Sequence, residues 1–573
     1  MAAFNSPFSV HLHTNYVPYD VEKMQISELL IAPQRKAHTL GAEIGQLKSR
    51  IAEVKARRDA LDVMITEQTS LLAPWRRIPD KILSAIFIYC LPAQHYTPMT
   101  IHDAPLRLTF VCQRWRRVAF NTPYLWATLH IVCVSTWERA AVVFFLRVQS
   151  HLNAIVQWIN RSGSCPLSIS TSDCVRPFFI YLHALRQFSN RWLNIQFNGI
   201  DQRALLSLAS LSHDDVPMLE TMNLRFPSSV DERTSSQWRM QGGLFRGNKL
   251  RIVSIYHRPV ALDVMALDWS GLTTLILCDA STAVQSPMTP SEAVAILSQC
   301  KNLLNLTMSI FDHPPTGPFQ LPAHANLQYS LPHLQNLSIN DNYFFTSTLF
   351  SSIHAPSLTG VAYSTQFWPS RIRRSPLVAL LARNGRTVRS LIMDPSFLSH
   401  AEFVDCCRLS PFLARLHFLQ SSIPMPNERR NGLQGPINQI IMNVVFQLLT
   451  PADQGKCHWP YLQYLQKSRS FCGPYLDEKP VFDLIQKRME GAKKSSNLPL
   501  KWVKVSLGCF VTRNIRSLLQ EYAEDGLHLQ LEDYIDNNFL LEDFESEEAE
   551  AYDGMFSPRE GIHSLHRKLP FPF

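Results

Sequence analysis

"RRIPDKILSAIFIYCLP", residues 76–92, carries more apolar side chains than one buried helix face uses. Pro79 suits the first turn of a helix, Asp80 suits the positive end of its dipole, and Pro92 ends the run. Between Pro79 and Leu91 the polar residues are Asp80, Lys81 and Ser84, with Tyr89 amphipathic. A surface helix normally carries one apolar stripe. This one is apolar nearly all round, so a second face needs covering.

Downstream runs "LRLTFVCQRWRRVAFNTPYLW", residues 106–126. Leu108, Val111, Cys112, Trp115 and Ala119 keep helical spacing, while Gln113, Arg114, Arg116 and Arg117 point elsewhere. Trp126, after a turn at Thr122-Pro123, is a large closing side chain. A module of about fifty residues cannot hide this much apolar area alone. The surplus predicts a protein partner.

Together these segments resemble an F-box, the module that docks substrate receptors on the adaptor subunit of SCF-type cullin–RING ubiquitin ligases. Ile78-Pro79, Ile82-Leu83, Ile86-Phe87, Leu91-Pro92, Val111-Cys112, Trp115 and Leu125-Trp126 stand in the family's positions. Ile78 replaces the usual Leu, and the acidic residue, Asp80, follows the proline directly. The resemblance implies adaptor contact through Pro79, Ile82, Leu83, Ile86, Phe87, Val111, Cys112 and Trp115, with Leu108 and Ala119 in support. It also implies a cullin reached through the adaptor. With the preceding "LLAPWRRIP" the chain is similar to a group of fungal F-box proteins that continue into leucine-rich repeats.

Upstream, Leu40, Leu47, Val54 and Leu61 fall seven apart, with Ile44, Ile51 and Ile65 offset by four and Arg58 breaking the second row. The pattern predicts a long coiled-coil-like helix over 37–73, offering a homodimer through 37–67 or a single helix packed on its own protein. Residues 1–36 lack usable periodicity and read as disordered or irregular.

From residue 190 an apolar-x-x-apolar-x-apolar phrase recurs, starting at Trp192, Leu219, Leu250, Leu272, Leu303, Leu334, Leu358, Val388 and Leu413. The gaps of 27, 31, 22, 31, 31, 24, 30 and 25 residues lie near a leucine-rich repeat. "PLSIS" at 166–170 and "LKWVKVSL" at 500–507 read as outlying strands, and a compact α/β domain is the competing architecture. In a solenoid the outward strand positions line one concave surface. Those are Asn223, Ser254, Ile276, Thr307, Ser338, Ala362, Ile392 and His417. They are uncharged apart from one titratable histidine, so this face would read a target by shape and neutral hydrogen bonds.

The expected fold is therefore α plus α/β: a long N-terminal helix and a three-helix F-box at 74–130, then an irregular leucine-rich-repeat solenoid at 131–520. An insertion near 421–498 breaks its rhythm, and 521–573 form a terminal cap and acidic tail.

Composition narrows the function. At 46% hydrophobic and 18% charged residues, the 573-residue chain can build a large core. Residues 521–553 hold thirteen acidic side chains and no Lys or Arg, so the remainder is more basic than the net +8 suggests. Its Lys and Arg are spread out, which argues against nucleic acid. The first twenty residues lack a basic stretch followed by an apolar one, which reads against a secretory signal. "AAVVFFL" at 140–146 is too short to span a membrane. Twelve scattered cysteines without a CxxC pair read as reduced thiols, in the cytoplasm or nucleus.

No phosphate loop, G-x-S-x-G elbow or H-E-x-x-H motif is present. Cys457, His458 and Cys472 come nearest to a metal cluster, with spacing that fits no standard zinc site. The reading is a non-enzymatic receptor with no cofactor or metal. A coiled-coil and leucine-rich-repeat scaffold without ligase partnership is the alternative.

Overall fold

The structure, a computed structural model, describes residues 6–72, 74–92, 95–134, 141–172, 178–226, 249–256, 268–278, 288, 290–310, 329–341, 347–365, 375–395, 398–419, 434–451, 457–467, 476–494, 498–507 and 515–533. Two compact units divide it, Met1–Leu83 and Ser84–Phe573.

In the first unit a single helix, α1 (Asp20–Leu72), runs for 53 residues. It starts well before residue 37, because local chemistry at its N-terminus suffices. Asp20 and Glu22 face the positive dipole end, and the Glu22 carboxylate accepts from the Tyr19 backbone N–H at 2.8 Å and the Tyr16 hydroxyl at 2.7 Å. None of its described side chains is buried. Pro33 lies within it.

The second unit is dominated by one parallel sheet. Among the described residues fourteen strands lie side by side in chain order. They are β1 (Thr128–Ile131), β2 (Leu167–Thr171), β3 (Trp192–Asn198), β4 (Thr221–Arg225), β5 (Ile252–Tyr256), β6 (Thr274–Cys278) and β7 (Asn305–Ile310). Then follow β8 (Asn336–Asp341), β9 (Gly360–Thr365), β10 (Ser390–Met393), β11 (Arg415–Phe418), β12 (Tyr464–Lys467), β13 (Trp502–Leu507) and β14 (His528–Asp533). Sequential parallel pairing demands a return segment after every strand, and helices such as Phe178–Arg186, Pro376–Asn384 and His400–Leu409 supply several of them. All nine recurrent phrases coincide with strands, as do the two outlying segments.

Alternation separates the sheet's faces. Leu306, Leu337, Val361, Leu391 and Leu416 stand in register on one face, each at most 1% exposed. Between those rows, on the other face, hydroxyls and amides form ladders. Asn194 Nδ2 donates to Ser168 Oγ at 2.9 Å and Asn336 Nδ2 to Asn305 Oδ1 at 2.7 Å.

One expectation needs correcting. The segment 421–498 is not simply an insertion, because it contributes β12, paired in register between β11 and β13. Its four-residue strand alternates half-buried and buried positions, a weaker signal than the leucine-rich phrases. Within the expected terminal cap, His528–Asp533 is a strand, β14, paired with β13. Residues 421–433, Cys472 and most of the acidic tail lie outside the described residues.

Candidate functional site

Helix α2 (Asp80–Tyr89) answers the question its sequence raises. Leu83 and Phe87, four apart, are 2% and 0% exposed, whereas Ile82, Ile86 and Tyr89 are 55%, 42% and 86% exposed. One apolar stripe is core and the other stands in solvent.

Behind α2, Phe87 meets the Trp115 ring at 4.9 Å between centroids. Trp115 belongs to α4 (Gln113–Phe120), reached through a single turn, α3 (Leu106–Thr109). Cys112 is the N-cap of α4, its Sγ accepting from the Trp115 backbone N–H at 3.4 Å. The Arg116 Nε ties the two helices by donating to the Thr109 carbonyl at 2.9 Å. Between them the chain leaves Phe110 and Val111 64% and 52% exposed.

The module is bolted to the sheet by Trp126. Its indole is fully buried, donates from Nε1 to the Ala119 carbonyl at 2.9 Å, and meets Trp158 edge-on at 4.8 Å. Arg161 lies 4.8 Å over the same ring. The following residues form β1, whose outer edge is shielded where the His130 N–H donates to the Thr97 carbonyl at 2.8 Å.

The ten expected adaptor contacts therefore divide. Pro79, Ile82, Ile86 and Val111 are exposed, and Cys112 and Trp115 are half-buried. Leu83, Phe87, Leu108 and Ala119 are buried, a division between inward and outward positions that spacing alone left open. They hold the helices together. Tyr89, Phe110 and Tyr124 are exposed aromatics that the sequence reading did not single out. Only Tyr89 carried a signal, lying three residues after Ile86 on one stripe.

The eight expected target contacts do share one register row, on the face opposite the leucine row. Yet all are buried, from 0% for Ser254 and Ser338 to 9% for His417. This corrects the expectation of an open reading surface. Neighbouring strands lie about 4.8 Å apart, so small side chains in mid-sheet are shadowed from both sides. The Oγ atoms of Ser254 and Ser338 have no hydrogen-bond partner.

The same face changes character at β11. The row that carries Thr274, Asn305, Asn336, Gly360 and Ser390 continues as Arg415, Tyr464, Trp502 and His528. There a cavity of about 370 Å³ opens, lined by Ser390, Ile392, Arg415, Leu416, His417, Tyr464, Gln466 and Trp502. The Arg415 guanidinium lies 5.0 Å from the Tyr464 ring centroid. Burial, aided by Lys504, pushes the His417 imidazole down to about 4, so it is neutral at pH 7.

Among the described residues no group of three or more His, Cys, Asp or Glu could hold a metal ion. Cys406 and Cys407 are buried, and burial raises both thiols, Cys407 to about 12. Eight of the described cysteines are free, and Cys133 is disulfide-bonded. No helix among the described residues is long and apolar enough to cross a membrane.

A family model described as F-box-like matches residues 75–132. Among solved structures, the Rad7 and Elc1 complex in yeast is similar at 15% identity, over 73% of this chain and 95% of that chain, with a TM-score of 0.31. No curated protein matches. The two-faced helix, the capped turn at Cys112 and the Trp126 anchor all fall inside the matched segment, and residues 75–132 form an F-box-like domain.

Proposed function

We propose that this chain is a non-catalytic substrate receptor whose F-box-like domain docks on the adaptor of an SCF-type ubiquitin ligase, and through it on a cullin. The observation that carries the reading is the second apolar stripe of α2, with Ile82, Ile86 and Tyr89 in solvent beside a fully buried Phe87. Exposed apolar side chains at this density favour a protein partner. Docking would employ Pro79, Ile82, Ile86, Tyr89, Phe110 and Val111.

The target would be held on the sheet face at β10–β13. Trp, Tyr and Arg are the side chains that dominate binding energy at interfaces, and here Trp502, Tyr464 and Arg415 stand in one row around a cavity. The receptor would then act by proximity, raising the effective concentration of target lysines near a charged ubiquitin thioester.

Recovery of purified adaptor by the full chain tests the docking. An Ile86→Asp, Val111→Asp double variant should lose the adaptor while keeping the wild-type unfolding midpoint. Undiminished recovery, or none by the wild-type chain, would sink the reading. Leu83 and Phe87 are unsuitable for this test, since charging either buried residue unfolds the module.

A further inference from the structure

Helix α1 carries an exposed apolar seam. Leu40, Leu47, Val54 and Leu61 in one row, and Ile44, Ile51 and Ile65 in the other, are each 49–57% exposed. A helix of 53 residues none of whose described side chains is buried gains little from packing, which is where helices in water normally obtain most of their stability.

The seam specifies its own occupant. Spacing makes Leu40, Leu47, Val54 and Leu61 the d positions, with Ile44, Ile51, Arg58 and Ile65 at a. β-Branched residues at a with leucine at d favour two parallel strands, and one polar residue at a fixes register at some cost in stability. The flanking g and e positions agree. In a parallel, in-register pair, Glu43 faces Lys48 of the second copy and Arg57 faces its Asp62. Only Arg50 opposite Lys55 is like-charged, and Arg50 is already paired with Glu53 of its own helix at 2.9 Å. The antiparallel arrangement with full overlap instead places Lys48 against Lys55 and Arg50 against Arg57, both repulsive.

We propose that residues 40–65 of α1 form a parallel, in-register two-stranded coiled coil with a second copy of this chain. Two F-box-like domains then follow the same end of one coil. The inference rests on the seam alone and stands whether or not the domain docks on an adaptor.

Sedimentation equilibrium of the full chain, without adaptor, tests it. The wild-type protein should sediment at twice its 65.5 kDa chain mass at micromolar concentration. Ile44→Asp with Ile51→Asp should give the monomer. Lys48→Glu discriminates direction, because it sets like charges together at two places in the parallel dimer but relieves repulsion in the antiparallel one. It should weaken dimerisation roughly tenfold, and Glu43→Lys added to it should restore the affinity. A monomeric wild-type chain at tens of micromolar overturns the proposal. So does a dimer indifferent to the two aspartates, or one that Lys48→Glu tightens.

Discussion

Ile86 and Phe87 are neighbours in α2 with opposite surroundings: the Phe87 ring is wholly buried while Ile86 is 42% exposed. Successive residues on a helix point about 100° apart, so one element can serve the core and a partner at once. Phe87→Ala should destabilise the second unit by about 3–5 kcal/mol in urea unfolding. Ile86→Asp should change stability by less than about 1 kcal/mol and still reduce adaptor recovery sharply.

Arg488 is 2% exposed and donates to the carbonyls of Leu449 at 3.1 Å, Trp459 at 3.1 Å and His458 at 2.6 Å. One planar fork thereby joins the helix Gln434–Leu449, the lead into β12 and its own helix, Glu478–Lys494. Arg488→Met should cost at least about 3 kcal/mol, since the carbonyls lose their donor in a buried place. Arg488→Lys should recover little of it, because an ammonium cannot span the fork. Hydrogen exchange should show the loss concentrated over 434–494.

Gly385 closes the helix Pro376–Asn384 where a Cβ would lie 2.3 Å from the Leu409 carbonyl oxygen and 2.6 Å from that of Leu381. Its φ of −64° is ordinary, so the restriction is one of space. Gly385→Ala should lower stability by about 1–3 kcal/mol. Gly491, in the helix Glu478–Lys494, has nothing within 4 Å of such a Cβ. Gly491→Ala should raise stability by about 0.5–1 kcal/mol, and thermal unfolding of the two variants gives the opposed signs.

His417 titrates near 4 when folded and near 6.5 when unfolded. Between those values the unfolded chain binds the extra proton, so stability rises with pH there. The contribution should be full above pH 6.5 and fall by on the order of 3 kcal/mol as pH drops towards 4. His151 and His458 are also lowered by burial and act in the same direction. His417→Gln should therefore flatten, without abolishing, the decline between pH 6.5 and 4 in urea unfolding. An unchanged slope would show that the imidazole is not held neutral.

The sequence by itself determined what local patterns encode. Every one of the nine recurrent phrases became a strand, because an apolar-x-apolar core supplies the inward row of each repeat. The eight chosen outward positions share one row for the same reason: alternation places them without knowledge of the neighbours. The apolar helix over 80–89 was equally plain from spacing, whereas the run through 108–119 is two helices that break at Phe110–Cys112.

Tertiary structure alone decided which patterned residues are covered. Ile82 and Leu83 are alike in hydrophobicity, and only the packing partner makes one surface and the other core. Burial of Ser254 and Ser338 depends on strands that flank them from far along the chain. The strand at 464–467 is held by β11 and β13 rather than by its own four residues. Hydrophobic pattern is a property of one segment, whereas burial belongs to the surface two segments make together.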